Sequence, residues 1–209
     1  IDNNFLGNKV KIKTVELSLP LEFTLKREDR QKTYIGMDVS HTWGYIDLLV
    51  PKLERDNPFF DIESAPKIER EVKGTFVQSA AWVSSEHKLG DLLIIPGIRV
   101  FHDTEIRKLG LDPRFSLRYP LNKDNTFKFA TGIYSKSPQF DETDEEFGNP
   151  NLDYEHSTHV VVGLETQWSD RWNSDIQIFY KNFDQIVRRD SSGNLDNGGS
   201  GSSVGFELF

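Results

Sequence analysis

Residues 148–168 read GNPNLDYEHSTHVVVGLETQW, and this stretch contains the pattern that decides the fold. It opens with turn-forming residues, after which apolar and polar side chains alternate along the chain. Val160, Val162 and Leu164 fall on one side of a period-two segment, whereas Glu165 falls on the other. This alternation predicts a β-strand with one apolar face and one polar face.

The segment after the short link SDRW (169–172) repeats the design. Three large side chains recur there at every second position: Ile176, Ile178 and Tyr180. Polar Gln177 falls between them, and Trp168 and Trp172 stand beside the link. Aromatic residues at the edges of an apolar band are typical of membrane β-barrels, in which they lie at the level of the lipid headgroups.

Composition narrows the classes of function. The chain has 209 residues, a net charge of -8, no cysteine and 12% aromatic residues. The negative charge disfavours a nucleic-acid partner, because phosphate binding needs a basic surface. The absence of cysteine excludes disulfides, thiolate metal ligands and cysteine nucleophiles. No run of 18 apolar residues occurs, so the sequence predicts no transmembrane helix.

The same search for period-two segments yields nine candidate strands. They cover residues 10–25, 33–48, 71–84, 92–102, 114–121, 126–134, 158–168, 173–187 and 203–209. The connections between them are expected to alternate in length. The short ones are 26–31, 84–91, 122–125 and 169–172, and the long ones are about 51–70, 102–113, 135–157 and 190–201. Outer-membrane barrels have short periplasmic turns and long external loops, so this order favours an up-and-down transmembrane barrel.

A half-buried antiparallel sheet of a water-soluble protein would show the same alternation. Two features favour the membrane interpretation. The first is the order of the connections, and the second is the presence of charged residues in the middle of strands, on the face opposite the apolar one. These are Asp38, Arg99, Arg118, Lys128 and Glu165. A water-filled barrel interior accommodates such charges.

The opening stretch resembles the Gly-Asn-Pro-x-Leu-x-x-Glu-x-Ser…Gly-x-Glu signature of TonB-dependent outer-membrane receptors. The residues that carry the resemblance are Gly148, Asn149, Pro150, Leu152 and Glu155. The segments IPGIRV, DPRFSLRYPLNKDNTFKFATGIYSKSPQF, IQIFYKNFDQIVRRD and VGFEL lie around it in the order that the family shows. The resemblance covers roughly residues 70–209. One departure is Asp153-Tyr154 before the glutamate, where the family often has proline.

The resemblance implies an all-β fold, a 22-stranded antiparallel barrel plugged by an N-terminal domain. About nine strands are too few to close such a barrel, so residues 1–209 are expected to form part of one barrel domain. The plug domain and the remaining strands are expected to lie outside this chain. The implied function is TonB-coupled uptake of a scarce solute, such as an iron–siderophore complex, across the outer membrane of a Gram-negative bacterium. Coupling to TonB would pass through the plug, and such receptors are transporters, not enzymes.

Candidate ligand-binding residues lie where a strand leads into the acidic segment 141–155. Tyr134, Gln139 and Phe140 are expected to touch the solute, because in the family such extracellular segments overhang the ligand cavity. We expect no catalytic residue, no cofactor and no metal site. His156 and His159 are three residues apart, so on a strand they point to opposite faces and do not share a metal.

The charged residues on the polar face allow two interpretations. Arg99, Arg118 and Lys128 could attract an anionic solute, or they could pair with acids on the same face such as Asp38 and Glu165. Two other functions also remain open at the level of sequence. One is a small closed outer-membrane barrel acting as a porin or adhesin, and the other is a soluble β-sandwich binding module.

Overall fold

The computed structural model describes residues 2–5, 8–27, 31–51, 67–139, 142–143 and 148–209, and these residues form an all-β structure. The strands are β1 (Asp2–Phe5), β2 (Asn8–Lys26), β3 (Lys32–Pro51), β4 (Lys67–Ser85), β5 (His87–Leu89), β6 (Leu92–Asp103), β7 (Leu109–Pro120), β8 (Asn125–Lys136), β9 (Glu155–Ser169), β10 (Trp172–Arg189) and β11 (Leu195–Leu208). Within these residues, no helix is both long enough and apolar enough to cross a membrane.

The strands follow one another through a single antiparallel sheet in the order β1-β2-β3-β4-β6-β7-β8-β9-β10-β11, and β5 pairs with β6. Each strand therefore lies beside its neighbour in sequence, which is the up-and-down arrangement. The predicted fold class is confirmed. All nine predicted strands are present in the described residues, and the sequence analysis missed only the short β1 and β5 among the strands described there.

The chain divides into two compact units. The first comprises Ile1–Ser18 and Ser40–Val77. Within it, β1 pairs with the start of β2, and the His41 ring stacks on Trp43 at 4.0 Å between ring centroids. The second comprises Leu19–Val39 and Gln78–Phe209, and it contains every residue of the candidate site described below.

The strand register places apolar side chains together on one side of the second unit. Ile178 pairs with Val162, and Ile176 pairs with Leu164. These side chains are not covered by other described residues: Ile178 is 60% exposed and Val162 is 42% exposed. Exposed apolar side chains continue on β11 as Val204, Phe206 and Leu208. Such a broad apolar surface would be unfavourable in water and is suited to contact with hydrocarbon.

The connections differ less in length than the sequence predicted. The link between β8 and β9 covers residues 137–154, whereas the links β6–β7 and β10–β11 shrink to 104–108 and 190–194. At the opposite end, 121–124 joins β7 to β8 and 170–171 joins β9 to β10. We call the end with the 137–154 link the loop end and the other the turn end. The expected long link around 51–70 lies largely outside the described residues.

Glycines explain why the last long connection was predicted wrongly. The run GGSGSS (198–203) was expected to be a flexible external loop, but it is part of β11. A Cβ at Gly199 would lie 2.6 Å from the carbonyl oxygen of Ile186, and one at Gly205 would press into the Phe179 ring. The missing side chains let β11 lie closely against β10, so the segment pairs as a strand.

Arginine at Ile178 should destabilise the folded protein by about 2–4 kcal/mol if this position lies near the bilayer midplane. Arginine at the adjacent Gln177, which points to the polar face, should cost much less. Unfolding of the full-length protein in lipid vesicles by urea would measure both variants. Equal losses at the two positions would contradict the assignment of the faces.

Candidate functional site

The motif residues at 148–155 fasten the long link onto the loop end of the sheet. Asn149 donates from Nδ2 to the carbonyl oxygen of Leu195 at 2.8 Å, at the start of β11. Its Oδ1 accepts the backbone N–H of Asn151 at 2.9 Å, which closes a local turn. Leu152 is buried, whereas Pro150 is exposed. Asn149 thus ties the link to a strand far from it in sequence.

Tyr154 anchors the link inside the second unit. The side chain is 2% exposed and meets the Phe101 ring edge-on at 4.8 Å between ring centroids. Its hydroxyl donates to the carbonyl oxygen of Lys108 at 2.8 Å and accepts the N–H of Asp103 at 3.1 Å. Burial raises the pKa of Tyr154, so the hydroxyl stays protonated and able to donate.

Asn197 joins this link to an irregularity in β10. It accepts the N–H of Asp153 at 2.7 Å, and its Nδ2 lies 3.1 Å from the Asp153 carbonyl oxygen and 2.9 Å from that of Gln185. Gln185 has a φ of 58°, in the left-handed region, where the register shifts between Phe183 and Ile186. The side-chain amide therefore stabilises a local conformation that non-glycine residues rarely adopt.

Glu155 satisfies a backbone donor beside the same irregularity. Its Oε1 accepts the N–H of Val187 at 2.9 Å, and Lys136 Nζ lies 3.4 Å from its Oε2. Register shifts flank Ile186, so the ladder between strands is locally interrupted. A carboxylate is well suited to accept a backbone N–H there, because charge-assisted hydrogen bonds are strong. The motif residues Asn149 and Glu155 thus have structural partners.

The turn-end half of the polar face contains a balanced charge network. Arg118 Nη2 lies 2.7 Å from Glu165 Oε2, and Lys128 forms an ion pair with Asp175 and lies 3.8 Å from Glu165. Gln177 also donates to Asp175 at 3.0 Å. The predicted pairing of Arg118 and Lys128 with acids on the same face is correct, with Glu165 as the shared partner.

The loop-end half of the polar face is arranged differently. Asp112 is 1% exposed, and its Oδ1 accepts the Ser135 hydroxyl at 2.7 Å. Arg99 Nη1 and Arg114 Nη2 lie 3.6 Å and 3.8 Å from Asp112 Oδ2. The described ion pair of Arg99 is therefore with Asp112, not with Asp38 as the sequence analysis suggested. His156 Nδ1 also contacts the Ser135 hydroxyl, at 2.9 Å.

Asp112 and Arg114 were not predicted as site residues, because the predicted strand began at Arg114. With the strand starting at Leu109, the two residues share one face with Arg118. Charged residues at 112, 114 and 118, all at even positions of one period-two segment, would have been the signal. Asn197 gave no such signal, because an asparagine beside two glycines looks like an ordinary turn.

The predicted ligand-binding residues lie in different places. Tyr134 in β8 borders a cavity on the polar face, and its ring packs against His159 at 4.4 Å between ring centroids. Gln139 lies exposed in the long link, where its backbone N–H donates to Glu142 at 2.7 Å. Phe140 and residues 141 and 144–147 of the acidic segment lie outside the described residues. No described contact joins Tyr134 to Gln139, so their role in binding stays a prediction.

No metal cluster is present among the described residues, in which no three histidine, cysteine, aspartate or glutamate side chains come close enough together. His156 contacts Ser135, whereas the ring nitrogen of His159 contacts the Ser157 hydroxyl at 2.8 Å. The two histidines therefore have separate partners.

The comparisons with known proteins agree with this architecture. The family described as TonB dependent receptor-like, beta-barrel matches residues 3–208. The chain belongs to the TonB-dependent receptor β-barrel family. A search of curated proteins gave no match.

Three solved receptor structures have a fold similar to that of this chain. The siderophore receptor PirA from Pseudomonas aeruginosa aligns with a TM-score of 0.68 and 18% identity, over 99% of this chain and 38% of its own. A Q482A mutant of the ferric enterobactin receptor PfeA from the same organism, in complex with enterobactin, gives 0.65 and 12%, over 96% and 33%. PirA from Acinetobacter baumannii gives 0.69 and 13%, over 96% and 34%. The chain therefore spans about a third of these receptors.

Replacing Asn197 with alanine should weaken the attachment of the 148–155 segment by about 1–3 kcal/mol, because buried or half-buried partners lose their hydrogen bonds. Faster amide hydrogen exchange of residues 151–155 in the full-length receptor would report it. Asn182→Ala is a matched control, since Asn182 donates to the exposed Asp184 in β10. If both variants leave exchange unchanged, Asn197 does not hold the link.

Acid should release the same segment. Burial tends to raise the pKa of Asp153, but its hydrogen bond from Lys108, at 2.6 Å, and other favourable contacts outweigh this and lower the pKa below the usual 3.8. The ionised Asp153 thus stabilises the attachment of the 148–155 segment above pH 3.8. This contribution is lost as the pH falls through the lowered pKa. Hydrogen exchange between pH 5 and 3 should show this release, and Asp153→Asn should weaken its pH dependence. An identical pH profile in that variant would contradict the assignment.

Proposed function

We propose that this chain forms part of the wall of an outer-membrane receptor in a Gram-negative bacterium. The receptor takes up a scarce solute, such as an iron–siderophore complex, by TonB-coupled active transport. Membership of the TonB-dependent receptor family supports this assignment. A transport receptor makes and breaks no covalent bonds, so we assign no catalytic residue and no cofactor.

The observation that carries the proposal is the division of the sheet into two chemically different faces. Paired apolar residues such as Ile178 and Val162 lie exposed on one side. Arg118, Lys128 and Glu165 form ion pairs on the other. A soluble β-sandwich would cover its apolar face with a second sheet, whereas a membrane barrel covers it with lipid.

The proposal includes the domain organisation expected from the sequence. Residues 1–209 contribute to one barrel domain, and further strands and a plug domain belong to the receptor beyond this chain. TonB would act through that plug. The net charge of -8 disfavours binding to nucleic acid, which is not among the proposed partners.

The proposed solute is a ferric siderophore because the similar receptors PirA and PfeA are named for siderophores, and one PfeA structure contains enterobactin. Tyr134, Gln139 and Phe140 are proposed to contact it. Tyr134 has the clearest support, since it borders a cavity on the polar face. The exposed position of Gln139 in the long link would place it near the entrance.

Uptake by whole cells tests the proposal. Iron-starved Gram-negative cells that express the full-length receptor as their only siderophore receptor should accumulate radioactive iron supplied as ferric chelates of several classes. Accumulation of at least one chelate should stop when TonB is deleted. Iron uptake that continues without TonB would instead indicate a passive porin. Cell attachment without any uptake would indicate an adhesin.

A further inference from the structure

Two arginines on the polar face share a single carboxylate. Asp112 is the described acid within 4 Å of both Arg99 and Arg114. The distances of 3.6 and 3.8 Å are too long for hydrogen bonds, and the Ser135 hydroxyl and N–H occupy the Asp112 oxygens instead. Two cations and one anion leave this group with a surplus of one positive charge.

Aromatic rings hold the two guanidinium groups in place. Arg99 lies over the Phe101 ring at 4.8 Å from its centroid, and Arg114 lies over Tyr134 at 4.5 Å. A guanidinium that stacks on a ring keeps its N–H groups directed outward in the plane, where they can meet an anionic oxygen. Within the described part of the chain, neither guanidinium donates a hydrogen bond to a protein acceptor.

The two arginines border a cavity of about 250 Å³. Gly97, which has no side chain, and the small Ala130 leave room in its lining, and Trp82 and Tyr134 contribute rings. A cavity of about 150 Å³ holds a benzene molecule, so this one has room for a substituted six-membered ring. Arg99 also borders a second cavity, of about 230 Å³, whose lining includes Lys136 and the acids Asp38 and Asp103. At the first cavity, rings and guanidinium donors therefore coincide with the surplus positive charge of Arg99 and Arg114 over Asp112.

The turn-end network provides an internal comparison. There, Arg118 and Lys128 are matched by Glu165 and Asp175, so two cations meet two anions. Both Arg118 and Lys128 also lie within hydrogen-bonding distance of an acid. That network is complete without a ligand, whereas the Arg99–Arg114 group is not.

We infer that Arg99 and Arg114 form a subsite for an anionic ring or carboxylate arm of the transported solute, such as a catecholate. This inference rests on the proposed function. The stacked guanidinium groups would donate to phenolate or carboxylate oxygens, while Tyr134 and Trp82 would contact the ring. Anionic chelates would be selected over cationic ones at this subsite, since Arg99 and Arg114 together carry one more charge than Asp112.

Binding of three ferric chelates to the full-length receptor in detergent tests the inference. Ferric enterobactin is an anionic catecholate, ferric citrate is an anionic carboxylate, and ferrioxamine B is a cationic hydroxamate. Arg99→Gln and Arg114→Gln should each weaken binding of the anionic chelate that the receptor accepts by roughly tenfold or more. Arg99→Lys and Arg114→Lys should recover part of the loss. Arg171→Gln, which removes an exposed charge at the turn end, should change nothing.

Each other outcome has a defined meaning. Binding of an anionic chelate that is unaffected by either glutamine variant overturns the inference and leaves the proposed function standing. Binding of ferrioxamine B alone would also overturn the inference and leave the proposed function standing. Equal weakening of all chelates with a lower melting temperature indicates that the arginines are structural, and also overturns the inference. A receptor that binds no ferric chelate and supports no uptake contradicts the proposed siderophore function and this subsite with it.

Discussion

The antiparallel register between neighbouring strands is the constraint on which the rest of the structure depends. Ile178 lies opposite Val162, and the next pair, Gln177 with Gly163, points to the other side. A slip of one residue would turn every apolar side chain of a strand toward the polar face. Because a slip would misplace side chains on both faces, the pairing of β9 with β10 keeps one register from Asn173 to Asp184.

The loop end and the turn end of the polar face are stabilised by different interactions. At the loop end, Tyr154, Asn197 and Glu155 satisfy backbone groups that the irregular part of β10 and the long link leave unpaired. This fixes the base of a segment that would otherwise have few contacts. At the turn end, the charges of Arg118 and Glu165 neutralise each other. In the same loop-end half, Arg99 and Arg114 together carry one positive charge more than Asp112 neutralises.

The sequence predicted the strands and their faces well, because the period of two is imposed by the backbone itself. It predicted the connections less well. The glycines of 198–203 look like a loop in sequence, but they pair because the absence of side chains permits close contact with β10. Of the Arg99–Arg114 group, only Arg99 was singled out from sequence. Its acid, Asp112, falls in a part of β7 that lacked clear alternation. Contacts such as that of Asn197 with Gln185 depend on the register of β10 and β11, and no local pattern encodes them.

The accessibility of single cysteines would test the central claim most directly. The chain has no native cysteine, so Val162→Cys, Gly163→Cys, Gln177→Cys and Ile178→Cys each introduce one spin-label site into it. In the full-length receptor reconstituted in a bilayer, labels at 162 and 178 should collide with oxygen dissolved in the lipid, whereas labels at 163 and 177 should be shielded from it. Equal oxygen accessibility on both faces, or shielding of 162 and 178 by protein, would contradict the account.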